Sequence, residues 1–291
     1  MIFMKRKVSE WSGLLSLLLC VFIVSCTDSK VSSGSMGNGD SSGEQQDSVI
    51  ADSVADIVED APLSKAVDEL FDDFFFNFAG NRRMQMSRIA FPLTVDDHGA
   101  TMQMEGRDWH YSHFFMGEGY YTILLDNVEQ DSLSKSYNLQ HASVEKLFLN
   151  DGRMERYDFD RQAEGEWFLT KLERGKWSES HPCASFLEFY HQFSSDTTFQ
   201  VKSLDEFVVM TAPDSDDEEF NDLTGSIMPD QWPAFKPEVI PSGVVYCVNY
   251  GQHYSDASRK VMIVRGVANG LSIEMDFRRK GDSWKLVGFK V

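Results

Sequence analysis

The stretch Phe71-Asp72-Asp73-Phe74-Phe75-Phe76-Asn77-Phe78 is written a second time as Phe186-Leu187-Glu188-Phe189-Tyr190-His191-Gln192-Phe193. At a constant offset of 115 (186 minus 71), Phe71 meets Phe186, Phe74 meets Phe189, Phe75 meets Tyr190 and Phe78 meets Phe193. The match continues without a gap through Met84/Phe199, Gln85/Gln200, Met86/Val201 and Ile89/Leu204. Aromatics at i, i+3, i+4 and i+7 line one face of an α-helix, so each copy predicts a helix with an aromatic stripe. A stripe of this weight is core material that must lie on a broad apolar surface, and it is not read as a ligand box.

Outward from the stripes, the first copy opens at Pro62 and Ser64 and is broken at Ala79-Gly80-Asn81. A short second helix over 82–88 leads into the strand Ile89-Ala90-Phe91-Pro92-Leu93. Asp96-Asp97-His98-Gly99 is a turn, and Trp109-His110-Tyr111-Ser112-His113-Phe114-Phe115 suits helix or strand. Strands follow over 120–125 and 143–150. The Asp151-Gly152 turn then leads into strands over 153–160 and 167–172, a strong hairpin signal. In the second copy Ser185-Phe186-Leu187-Glu188 has capping-box spacing, which places a helix start at Ser185. Strands over 244–250 and 260–267, an Asn269-Gly270 turn, and strands over 271–278 and 283–291 repeat the order. Phe159 then meets Phe277 and Trp167 meets Trp284, at offsets of 118 (277 minus 159) and 117 (284 minus 167). Helix, hairpin and tryptophan match in the same order, which reads as an internal duplication: units 62–173 and 185–291, joined by a linker 174–184.

Helices followed by a run of strands define an α+β layout, here two tandem units, each with N-terminal helices packed on a curved antiparallel sheet. The runs Phe78-Ala79-Gly80-Asn81-Arg82-Arg83-Met84-Gln85-Met86-Ser87-Arg88-Ile89-Ala90-Phe91-Pro92-Leu93 and Asp230-Gln231-Trp232-Pro233-Ala234-Phe235 resemble a family of uncharacterised bacterial lipoproteins with a nuclear-transport-factor-2-like (NTF2-like) fold. The resemblance covers roughly residues 60 to 291 and implies a cone-like unit whose bent sheet wraps its helices and leaves a pocket. It assigns no activity, so it hands no functional residue to this chain.

The N-terminus reads as an address. Lys5, Arg6 and Lys7 precede an apolar run over 14–24, too short to span a bilayer comfortably and of the length of a signal-peptide core. It ends in Ile23-Val24-Ser25-Cys26, which looks like a bacterial lipobox and implies cleavage after Ser25 and a lipid on Cys26. Residues 1–25 are thus a lipoprotein signal peptide. Residues 26–61, rich in Ser, Gly and Asp, read as a disordered acidic tether with a reach on the order of 30 Å. The expected address is a bacterial cell envelope, at the outer membrane.

With 291 residues, 42% hydrophobic content and 22 Phe, the chain has material for two cores. A formal charge of −19 argues against nucleic acid or an anionic membrane surface as partner, since both need clustered Lys and Arg. Four cysteines do not make a disulfide scaffold or a zinc site. After loss of Cys20 and lipidation of Cys26, Cys183 and Cys247 remain, as one disulfide or as two buried free thiols.

His110 and His113 would share a helical face, as an acid/base pair would, and with Trp109, Tyr121, Trp232 and Tyr246 they are the candidate pocket residues. Exposed histidines beside core aromatics are the plainer reading. Asp214-Ser215-Asp216-Asp217-Glu218-Glu219 lacks the glycine and the final glutamate of a calcium loop. No P-loop, nucleophile elbow or dinucleotide fingerprint is present, and no cofactor is expected. The reading that remains is a lipid-anchored envelope protein acting as a non-catalytic module for an apolar small molecule or a protein partner. A pocket-based hydrolase, isomerase or dehydratase, and a structural assembly protein, are the alternatives.

Overall fold

The computed structural model describes residues 65–214 and 221–291. The signal segment, Cys26, the tether, Pro62, Ser64 and the acidic run 215–219 lie outside the described residues. The two aromatic stripes form helices α1 (Phe71–Gly80) and α4 (Ala184–Ser195). Each is followed by one short helix, α2 (Arg82–Ser87) or α5 (Thr197–Lys202), and a side-chain cap starts each of them. Asn81 accepts from the Met84 amide at 2.9 Å, and Asp196 accepts from the Thr198 and Phe199 amides at 2.8 and 3.1 Å. Ser185 is not a cap, contrary to the spacing. The α4 start lies at Cys183 without a side-chain bond, and the Ser185 hydroxyl, already inside the helix, donates to Asp256 Oδ1 at 2.8 Å.

One sheet of twelve strands carries both helix layers. In chain order the strands are β1 (Ile89–Asp97), β2 (Ala100–Met104), β3 (Tyr120–Leu125), β4 (His141–Phe148), β5 (Arg153–Arg161) and β6 (Trp167–Lys176). The rest are β7 (Leu204–Pro213), β8 (Asp222–Ile227), β9 (Val244–Asn249), β10 (Arg259–Gly266), β11 (Ser272–Lys280) and β12 (Ser283–Lys290). Their spatial order, β2-β1-β6-β5-β4-β9-β3-β10-β11-β12-β7-β8, is palindromic. The ladders agree residue for residue. Ile89 faces Leu169 and Thr94 faces Lys171, while Leu204 faces Leu286 and Val209 faces Gly288. A register shift falls between Asp158 and Phe159 against β6, and another between Asp276 and Phe277 against β12. The Asp-Gly and Asn-Gly turns both place glycine in the left-handed region, Gly152 at φ 74° and Gly270 at φ 75°.

Two features depart from the sequence reading. The sheet is mixed and not antiparallel: β1 runs parallel to β6, β7 to β12, and β3 to β9. Parallel neighbours need a long crossover, and 69 residues (167 − 97 − 1) lie between the end of β1 and the start of β6. The central strands also cross between halves. β3 leads into β4 but pairs with β10, with Ile123 facing Ile263. β9 leads into β10 but pairs with β4, with Cys247 facing Glu145. The two meet in parallel at Thr122 and Cys247, so each half lends one strand to the other.

The strands β4, β9, β3 and β10 are therefore covered on both faces. Ile123, Val248 and Ile263 point into the core of α1, whereas Leu124, Cys247 and Met262 point into the core of α4. A strand buried twice reads as a continuous apolar run, which is why 120–125 does not alternate. The stripes pack alike: Phe71 lies 5.2 Å from Trp167 at 73°, and Phe186 lies 5.2 Å from Trp284 at 75°. The outermost strands β2 and β8, mostly exposed and of mixed composition, gave no apolar run to read. Segment 109–113 is neither helix nor strand.

Candidate functional site

The structure does not gather the anticipated pocket residues into one site. His110 and His113 are exposed on an irregular segment and share no helical face. The His113 ring packs edge-on to Tyr111 at 4.5 Å. Trp109 and Trp232 hold parallel structural posts, donating their indole N–H to buried Gln85 at 2.9 Å and Gln200 at 3.1 Å. Tyr246 is half-buried beside Phe115. Tyr121 donates to Asp72 Oδ2 at 2.8 Å and Tyr250 donates to Oδ1 at 2.5 Å. Burial raises the Asp72 carboxyl above the usual range, against the lowering effect of these two hydroxyls. Cys183 and Cys247 are both buried free thiols.

A different constellation forms where the halves interlock. In one row across the strands, Glu173 on β6 faces Arg156 on β5, Arg156 faces Glu145 on β4, and Glu145 faces Cys247 on β9. Directly opposed residues point to the same side, so charges alternate along the row toward a thiol. At the same ladder position in the other half Ile263 faces Glu274, so the row has no twin.

Helix α3 (Trp177–Ser180) and the turn after it lay His181 over Glu145. The Trp177 indole anchors the turn by donating to the Phe148 carbonyl at 3.1 Å. His181 Nδ1 accepts the Cys183 amide at 3.0 Å, which leaves Nε2 as the proton-bearing nitrogen, 3.4 Å from Glu145 Oε2. From the loop after β9, the Tyr254 hydroxyl donates to the same oxygen at 3.3 Å and touches Cys247 Sγ at 3.5 Å. Glu145 is 1% exposed, and among the described residues its Oε1 has no hydrogen-bond partner.

Burial works against charge on the His181 ring. Hydrogen bonds to Cys183 and Glu145, with the Glu145 charge, outweigh it and raise the pKa to about 9. Burial, assisted by Glu145, pushes the Cys247 thiol up to about 12 and keeps it protonated and unreactive.

Glu145, Arg156, Glu173, His181 and Tyr254 border an open cavity of about 360 Å³, whose wall also includes Asn249, Gln252 and His253. Its lining is mostly polar. Among the described residues no three His, Cys, Asp or Glu side chains converge as a metal ion needs. Chemically the site offers a buried, oriented carboxylate with one unpaired oxygen, next to Arg156 in the ladder. Glu145 was legible only as a strand residue, and His181 only as part of the linker. The available signal was a lone acid in the strand run Ser143-Val144-Glu145-Lys146-Leu147, because full burial of an unpaired carboxylate is rare.

Helices folded against this large mixed sheet fit an NTF2-like protein, and a solved structure agrees. An NTF2-like protein from Bacteroides fragilis NCTC 9343 is 32% identical, with a TM-score of 0.73, covering 79% of this chain and 98% of that one. The family model for the domain of unknown function DUF4348 matches residues 50–291, and the chain belongs to that family. No functionally curated protein matches it. No helix among the described residues is long and apolar enough to cross a membrane.

Proposed function

We propose that this protein is a lipid-anchored binding module of the bacterial cell envelope, held by Cys26 and the tether 26–61, with its ligand site in the cavity beside Glu145. The observation that carries the binding reading is Glu145, a buried carboxylate with one unpaired oxygen, among the residues that line a cavity of about 360 Å³. The polar lining suits a small polar molecule better than the apolar one that the sequence reading expects. We also infer that the two halves arose by tandem duplication of one NTF2-like unit. Equal ladder registers support this, as do equal stripe packing and the shared Gln–Trp posts.

A second reading, acid–base catalysis, draws on one observation: a buried carboxylate meets a histidine at 3.4 Å. Both ring nitrogens of His181 are occupied, so the ring would position Glu145, and Glu145 would be the general base. The test is to incubate the purified full chain with a metabolite extract and to identify by mass what is retained and what is converted. The binding reading expects one retained small polar compound; a chain that retains nothing contradicts it, and turnover selects the enzyme. The anchor has its own test. A fatty-acid probe should label the wild type and not Cys26→Ser, and labelling of both refutes the anchor.

A further inference from the structure

We propose that the groove over Phe189, Phe199 and Trp284 docks a peptide segment of a partner protein, one that presents an apolar side chain followed by a carboxylate. The ground is that the matching seat in the first half is already filled, by the chain itself. There the 3-10 turn Lys65–Asp68 lies against α1. Val67 packs on the core, and the buried Asp68 carboxylate accepts from both terminal nitrogens of Arg88 at 3.0 Å. Asp68 Oδ1 also accepts the Trp167 amide at 3.1 Å. Arg161, stacked 5.4 Å over Trp167, donates to the carbonyls of Asp68 and Glu69. Under this cover Phe74 and Trp167 are fully buried.

The second half builds the same seat and leaves it open. Arg161 faces Trp167 in the ladder, and Arg279 faces Trp284. The Leu169 amide donates to the Arg88 carbonyl and the Leu286 amide to the Ser203 carbonyl, each at 2.9 Å. Arg279 again stacks on its tryptophan, at 4.8 Å. The two residues that anchor the cover are exchanged, however: at the offset of 115, Asp68 becomes Cys183 and Arg88 becomes Ser203. The stretch that would be the cover is committed elsewhere, with His181 on Glu145 and Cys183 Sγ against the Ser255 carbonyl. What remains is a groove of about 640 Å³, in which Phe189 and Phe199 are only half-buried.

The seat selects its occupant. Covering Phe189, Phe199 and Trp284 removes aromatic surface from water, as Val67 and its neighbours do in the first half. For the carboxylate, the groove replaces Arg88 by the Ser203 hydroxyl and two ammoniums. Lys202 precedes Ser203, and Lys285 aligns with Phe168, the ring that Arg88 overlies at 5.4 Å. Lys285 Nζ donates to the Lys202 carbonyl at 2.5 Å, which leaves it further donors. Charges along the wall balance as a whole, Glu188, Asp256 and Asp282 against Lys202, Arg279 and Lys285, and Asp256 is held by Arg279 at 2.6 Å. The match to the filled seat, and not a net field, therefore sets the preference. Since that seat holds a peptide turn and the linker is committed to Glu145, the occupant is a peptide from another chain. The groove shares no lining residue with the Glu145 cavity, so this inference stands apart from the binding reading above.

The probe is the blocked peptide acetyl-Lys-Ala-Val-Asp-Glu-amide, the sequence of 65–69, titrated into the isotope-labelled full chain and followed by amide NMR shifts. Shifts should cluster in 185–203 and 279–285. Replacing the valine of the peptide by serine, or its aspartate by asparagine, should weaken binding about tenfold. Lys202→Glu, at an exposed position, should weaken the parent peptide similarly. No binding, binding indifferent to both peptide changes, or binding undiminished in Lys202→Glu overturns the inference. Shifts centred on 65–88 and 161–167 also overturn it, because the peptide would then be displacing the chain's own cover. Self-association of the full chain that Lys202→Glu abolishes would assign the groove to a second copy and overturn the partner. Should the variant fail to fold, the three peptides on the wild type still decide.

Discussion

Glu145 shows how one side chain can break the equivalence of two matching halves. Its ladder counterpart Ile263 simply fills the α1 core, whereas Glu145 requires His181 and Tyr254 to hold one of its oxygens. A pH dependence follows. Because the His181 pKa is raised, the interaction stabilises the fold fully below the unfolded value near 6.5, and that contribution fades as pH rises through about 9. Denaturant midpoints should therefore fall between those pH values for the wild type, and Glu145→Gln should flatten the fall. A wild-type profile already flat across the window would mean that the Cys183 amide keeps the ring neutral. The sequence shows a histidine in the linker and an acid in a strand, but nothing in their spacing joins them: 36 positions separate the pair.

At the scale of elements, the legible parts were those with local causes. The stripes of α1 and α4, the short helix after the first, and the two glycine turns follow from 3.6-residue periodicity and left-handed glycines, whereas the cap expected at Ser185 did not form. The exchange of β3 and β9 was not legible, since both are apolar runs of similar length and either suits either neighbour. Which pairs with β4 is decided by long-range packing, and the burial of Glu145 depends on it. Matching positions can still differ in energetic weight. Phe74 is fully buried among Phe78, Phe159 and Trp167, while its counterpart Phe189 borders a surface groove. Phe74→Ala should cost about 3–5 kcal/mol in chemical denaturation, and Phe189→Ala distinctly less. Equal losses would mean that the two stripes are buried alike.

Across the whole molecule, the palindromic sheet makes the halves interdependent. Residues 62–173 alone would lack β9 against β4 and would leave β3 without β10, exposing edges in the middle of the core. The cavity is shared in the same way: Glu145, Arg156 and Glu173 precede the linker, His181 lies within it, and Asn249, Gln252 and Tyr254 follow. A chain of two free-standing units could lose one and keep the other. An interlocked chain cannot. The direct measurement is to prepare fragments 62–173 and 174–291 and record circular dichroism and thermal melts of each alone and of their equimolar mixture. Neither fragment should melt cooperatively alone, and the mixture should recover a single transition together with the full chain's ligand response. A cooperative transition from fragment 62–173 by itself, at a temperature close to that of the intact protein, would contradict the interlocked fold and the shared site built on it.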